Sequence, residues 1–228
     1  MNSLKTTIIS AATSLLLISG CATDDPNRRA KTGAAIGAIA GGVIGHQSNS
    51  KNGKYVGAVV GALTGAAAGN YMDKQQRKLE QKLARERRDE KIQITRIDDE
   101  TLRLDVRSEA SFDVNSATVN SSFINSLETM AEVIGEFDKT AVHVIGHTDS
   151  SGELRYNQLL SERRASSVTR ILRGNGVDLS RMRTSGRGET MPLDTNATTT
   201  GRSRNRRVEV YLRSVVEGRE SSAFAAPI

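Results

Sequence analysis

His147, Asp149, Ser150 and Ser151 stand within one short stretch of this 228-residue chain. An imidazole, a carboxylate and a hydroxyl are the groups of a nucleophilic hydrolase. Adjacent residues of one loop rarely reach triad geometry, and the chain has neither a G-x-S-x-G elbow nor an H-E-x-x-H helix. A hydrolase is therefore the weakest reading, and no catalytic residue is assigned. Three His and one Cys are a thin supply for structural zinc, so neither a metal nor a cofactor is expected. What remains are charged and amide side chains. Read by spacing alone, Asp149 and Arg164 form a salt bridge between a strand end and a helix. Asn157 caps that helix, and Arg202, Arg204, Arg206 and Arg207 make a solvated run.

The single Cys excludes an intramolecular disulfide. It has another use. Lys5 followed by the apolar run to Ile18 has the layout of a secretory signal, and the run is too short for an ordinary transmembrane helix. Leu17-Ile18-Ser19-Gly20-Cys21 resembles the bacterial lipoprotein lipobox. The resemblance implies removal of residues 1–20 and acylation of Cys21, with 21–32 a lipidated linker. Ala22 after the Cys favours the outer membrane by the enterobacterial sorting rule, facing the periplasm, with the inner membrane as the alternative.

Residues 33–72 carry two glycine blocks at four-residue spacing. One is Gly33, Gly37, Gly41 and Gly45, the other Gly57, Gly61, Gly65 and Gly69. Four residues advance about 400° on a helix, so each block is a stripe of small residues. Such stripes let helix backbones approach closely. With a Ser-, Asn- and Lys-rich turn from His46 to Lys54, the pattern predicts a helical hairpin that associates with the membrane or with further copies of the chain. It resembles the glycine-zipper segment of bacterial envelope proteins. Residues 73–91 alternate charges without Gly or Pro. Leu79 and Leu83 are too few for an apolar stripe, so a solvated helical stalk is expected.

The net charge of +6 and pI of 9.7 raise the question of nucleic acid. The excess sits upstream: residues 92–213 balance seventeen bases with seventeen acids. No nucleic-acid partner is expected, and the basic upstream part suits an anionic lipid surface or the wall.

From Ile92 the texture is that of a folded domain, 92–214. Ile92, Ile94, Leu102, Leu104 and Val106 alternate with polar residues as in half-buried strands. Val119, Phe123, Leu127, Met130, Ala131 and Ile134 repeat at helical spacing after Asn120, a candidate N-cap. Ala141 to Gly146 is apolar on both faces, as in a central strand. A second helix from about Tyr156 to Arg173 stops at Gly174. Short strands follow near Met182–Ser185 and Arg207–Arg213. The order β-α-β-α-β-β predicts an α+β fold with helices on one face of a mixed sheet. Residues 215–228 are expected to be disordered.

Four motifs of this domain carry a resemblance. Phe112-Asp113-Val114-Asn115, Gly146-His147-Thr148-Asp149, Asn157 to Ala165 and Gly201 to Glu209 are similar, in order, to the OmpA C-terminal-like domain. The resemblance implies noncovalent binding of peptidoglycan through the diaminopimelate of its stem peptide. Asp149 would take the ammonium and Arg164 the carboxylate, a task that suits the planar guanidinium fork. Asn115, Asn157, Arg206 and Thr148 match further contact positions. The whole chain would be a lipid-anchored tether between membrane and wall. The alternative makes the glycine hairpin an oligomeric membrane element and the domain its anchor.

Overall fold

The computed structural model describes residues 62–227. The signal sequence, Cys21, the linker and the glycine blocks up to Gly61 lie outside the described residues. Helices α1 (Gly65–Lys82) and α2 (Ala84–Arg88) precede strands β1 (Ile92–Asp98) and β2 (Thr101–Arg107). Then come α3 (Ser108–Ser111), α4 (Ser121–Glu136), β3 (Thr140–Gly146), α5 (Leu154–Gly174) and β4 (Met182–Gly186). The chain ends with α6 (Thr199–Asn205), β5 (Arg207–Ser214) and α7 (Glu220–Phe224).

The strand order is β1-β2-β5-β3-β4. Among the five described strands, β3 and β4 pair in parallel, joined through α5, and the other pairs are antiparallel. The fold class is the expected α+β one, with α4 and α5 on one face of a mixed sheet, but two strands rather than one precede α4, because Ile92–Asp98 and Thr101–Arg107 form a hairpin. Alternate residues of a strand point to opposite faces. Leu104, Val106, Val144, Val210 and Leu212 meet Leu127, Met130, Ile134, Val168 and Leu172 in one core. β3 is buried along its whole length, as apolar residues on both its faces predict.

Gly146 and Gly186 are register partners where β3 and β4 end. A Cβ on Gly146 would lie 2.0 Å from Ser161 O, and one on Gly186 2.3 Å from Ser161 Oγ and 2.5 Å from Glu162 N. No larger residue leaves room for the α5 backbone here. Ser161 Oγ adds a tie by accepting the Gly188 N–H at 2.9 Å.

Two expectations fail. The stretch 73–91 is not a solvated stalk: α1 runs unbroken across its boundary, and Met72, Gln75, Leu79 and Leu83 are buried. Their spacing makes a narrow stripe. It is too thin to fold a helix alone but sufficient to dock one on a core that already exists. Lys82 pairs with Glu132 of α4 at 3.1 Å, and Lys78 pairs with Glu136. Tyr71 sets its ring edge against Phe137, and its Oη accepts the Lys139 N–H at 2.9 Å. Burial pushes its pKa up to about 12.

The tail is not disordered either. Leu63 N–H donates to Val215 O at 2.8 Å, and Glu217 N–H to Leu63 O at 2.9 Å. α7 then covers the face of β3 that α4 and α5 leave open, packing Ala223 on Ala141 and Val215. His143 Nε2 donates to Ala223 O at 2.8 Å. The apolar second face of β3 needed a cover, and the tail supplies it.

That second face also buries charge. His147 Nε2 lies 3.2 Å from Glu209 Oε2, off hydrogen-bond angle, and Arg207 holds Glu209 Oε1 at 2.7 Å. Burial alone would raise the Glu209 pKa, but the Arg207 guanidinium on Oε1 holds it well below the usual carboxylate range. Burial lowers that of His147.

Leu79→Ala should cost about 2–4 kcal/mol of stability in urea denaturation, as for other fully buried leucines; a free stalk would leave the midpoint unchanged. For His147 the unfolded chain takes up the proton first as the pH falls. The stability owed to the neutral imidazole is therefore whole above about pH 6.5 and is lost as the pH drops through the lower folded pKa. His147→Gln should flatten the fall of Tm below that pH, and an unchanged slope would assign the proton to another group.

Candidate functional site

The strand ends that seat α5 also open a cleft of about 410 Å³. Its walls are the loop after β3, the first half of α5, the loop after α3 and the junction of α6 with β5. Asn115, Thr148, Asp149, Asn157, Arg164 and Arg206 all line it. The six residues expected from the sequence are thus brought together.

Their pairings differ from those expected. The Asp149–Arg164 salt bridge does not form; Asp149 Oδ2 instead pairs with Arg206. Asp149 Oδ1 accepts the Ser151 N–H at 2.8 Å, which fixes the carboxylate over its own loop. Burial works to raise its pKa, but Arg206 and Ser151 outweigh this and hold it below the usual carboxylate value.

Arg164 is only 4% exposed. Its Nε donates to Ser116 O at 2.9 Å, and its guanidinium lies 5.2 Å from the centre of the Phe112 ring. Among the described residues no carboxylate pairs with it. Burial therefore lowers its pKa. A buried charge without a partner is costly.

Asn157 is not a cap. α5 starts after Glu153, and Asn157 lies inside the helix, 2% exposed. Its Nδ2 donates to Asp149 O at 3.2 Å and to Glu189 Oε2 at 2.6 Å, so it ties the β3 loop to α5. Asn115 has φ +57°, a left-handed backbone that Asn tolerates better than most residues. Thr148 donates its N–H to Gly188 O at 2.9 Å, and its buried Oγ1 has no partner among the described residues.

Arg206 does not belong to a solvated run. One arm of its fork meets Asp149 and the other meets Glu109. Ser203 Oγ donates to Glu109 Oε2 at 2.9 Å. Glu109 escaped the sequence reading because it stands just ahead of the Phe112-Asp113-Val114-Asn115 motif and nothing in its spacing points to Arg206.

The hydrolase reading loses its imidazole. His147 is 1% exposed, faces Glu209, and has no hydrogen-bond partner on either ring nitrogen among the described residues. A larger groove of about 730 Å³ runs past Arg107, Arg204 and Arg207. Those arginines are taken by Glu90 at 3.1 Å, Asp194 at 2.8 Å and Glu209 at 2.7 Å, and the fourth on its wall, Arg87, is exposed to solvent. The smaller cleft, with its unpaired Arg164, is the candidate site.

The OmpA family model matches residues 111–206, and a YMGG-like Gly-zipper model matches residues 1–73. The probable lipoprotein YiaD of Escherichia coli is 42% identical over 131 residues, 58% of this chain and 59% of that protein. The outer-membrane lipoprotein YfiB of Pseudomonas aeruginosa is 37% identical over 114 residues, 50% of this chain and 68% of YfiB. A solved structure described as the cell wall anchor of the T6SS from Pseudomonas aeruginosa shares 31% identity at a TM-score of 0.55. It covers 61% of this chain and 99% of that one. The chain therefore spans less than two thirds of the length of YiaD. The matched stretches contain all six expected cleft residues and both glycine blocks, and the chain belongs to the OmpA family, with a glycine zipper ahead of its α+β domain.

Proposed function

We propose that this protein binds peptidoglycan noncovalently and, through acyl chains on Cys21, tethers the outer membrane to the cell wall from the periplasmic side. The observation that carries the reading is Arg164: a buried guanidinium, free of any acidic partner among the described residues, lining the same cleft as the ionised Asp149. A cleft with a cation on one wall and a carboxylate on another suits a ligand that bears an ammonium and a carboxylate at one centre. The diaminopimelate of the stem peptide is such a ligand. Arg164 would take its carboxylate with the free part of the fork, and Asp149 its ammonium. Thr148, through its unpartnered Oγ1, and Asn115 and Asn157 would complete the contacts. The description of one similar structure as a cell wall anchor, and of YfiB as an outer-membrane lipoprotein, support the same assignment. The glycine zipper would add membrane contact or self-association near the lipid.

The test is sedimentation of the full-length protein in detergent with purified sacculi. The wild type should pellet with the wall. Arg164→Ala and Asp149→Ala should each weaken binding about ten- to a hundredfold, the size of a lost charged hydrogen bond. Arg164→Lys should also bind poorly, because an ammonium lacks the planar fork. A wild type that stays in the supernatant overturns the function; variants that pellet like the wild type overturn the site.

A further inference from the structure

Arg206 creates a problem for any cation that Asp149 is to receive. Its guanidinium already lies on that carboxylate. A guanidinium fork commonly lies bidentate on one carboxylate, and such a pair would leave Asp149 neutralised. The fork is divided instead. One arm goes to Asp149 and the other to Glu109 across the mouth of the cleft.

We propose that Glu109 is a positioning residue that draws Arg206 partly off Asp149 and so keeps one net negative charge where the ligand's ammonium binds. This inference rests on the peptidoglycan reading and deepens it: Glu109 would set the preference of the cleft for a ligand with a free amine. Three groups share the charge, two carboxylates and one guanidinium, for a net of minus one. Asp149 receives a single arm of Arg206 on Oδ2 and the Ser151 N–H on Oδ1. A carboxylate has about four acceptor sites, so places remain for an ammonium. Unpaired Arg164 supplies the opposite charge on another wall, and the cleft is dipolar.

The position of Glu109 is built rather than incidental. Ser108 N–H donates to Arg206 O at 3.0 Å, which pins α3 beside the very residue that Glu109 must reach. Ser203, one turn before Arg206, donates to Glu109 Oε2 at 2.9 Å. The Arg206 hydrogen bond leads in lowering the Glu109 pKa, so Glu109 carries its charge at neutral pH.

A charge-balancing role and a purely structural one differ in the sign of a double-mutant cycle. Full-length protein in detergent is sedimented with native sacculi and with sacculi whose free amines have been acetylated. Wild type should prefer native sacculi. Glu109→Gln keeps the shape but lets Arg206 neutralise Asp149; it should bind native sacculi about tenfold more weakly, of the order of one charged contact, and lose the preference over acetylated ones. The double variant Glu109→Gln/Arg206→Ala returns the cluster to minus one through Asp149 alone. It should bind native sacculi more tightly than Glu109→Gln and regain the preference over acetylated ones. If Glu109 merely glues α3 to α6, the double variant will bind no better than Glu109→Gln, and the inference is overturned. It is also overturned if Glu109→Gln matches wild type on both substrates while Arg164→Ala still fails to bind, an outcome that leaves the peptidoglycan reading standing. A wild type that pellets with neither substrate removes both.

Discussion

Ser161 O lies 2.0 Å from where a side chain on Gly146 would begin. This approach of a helix backbone to the ends of two parallel strands fixes the height and rotation of α5 on the sheet. Asn157, Ser161 and Arg164 are spaced by four and three residues, so they share one face of that helix. Seating Ser161 on the two glycines therefore aims Asn157 at the loop after β3 and Arg164 into the space above it. The same strand ends launch Thr148 and Asp149. The cleft is where the sheet runs out beneath a helix that continues past it.

The two deeply buried arginines of the helical layer show what the cleft withholds. Arg181 is 5% exposed and held by several acceptors: Nε donates to Thr140 O at 2.8 Å, and Nη2 reaches Phe137 O at 2.6 Å and Thr140 Oγ1 at 2.9 Å. It closes the C-terminal end of α4 against β3 and is a structural part. Arg164 is as buried but has one backbone acceptor and the face of an aromatic ring. Burying a guanidinium so poorly satisfied is a standing cost to the folded state, and it is the pattern expected where a site is preorganised for a ligand's charge.

Much of this was legible from the chain. Alternation places β1 and β2, the doubly apolar run places β3 at the centre, and helical spacing places α4 and α5. The motifs also deliver the right residues to one cleft. Their pairing was not legible. Asp149 and Arg164 are fifteen residues apart and Asp149 and Arg206 fifty-seven, yet the distant pair forms, because β5 runs antiparallel beside β3 and starts where β3 ends. The docking of α1 was hidden for another reason. Four buried positions among many charges specify a helix–core contact only once the core surface they fit is known. In the tail, the need for a cover lies in Ala141 and Ile145 of β3, far from the residues that provide it.

The architecture separates two ends. The cleft sits where β3 finishes and β5 begins, beside the Gly146–Val208 pair. Leu63, near the start of the described chain, is bonded to Val215 and Glu217 just beyond the other end of β5. Eight residues of strand put about 26 Å between them. On the proposed reading the wall ligand pulls at one end, and the polypeptide leading toward the lipid pulls at the other. That line runs along β5, which is hydrogen-bonded to β2 on one side and β3 on the other. Antiparallel ladder bonds lie across the strand direction. A pull along the strand therefore shears many of them together instead of opening them one by one. Docking α1 on the core serves the same end, since the pull reaches Leu63 before any part of the sheet. A tether whose first helix hung free would gain reach; on the proposed reading, α1 packed on the core and the tail stitched to Leu63 exchange that reach for a continuous path from membrane side to wall side.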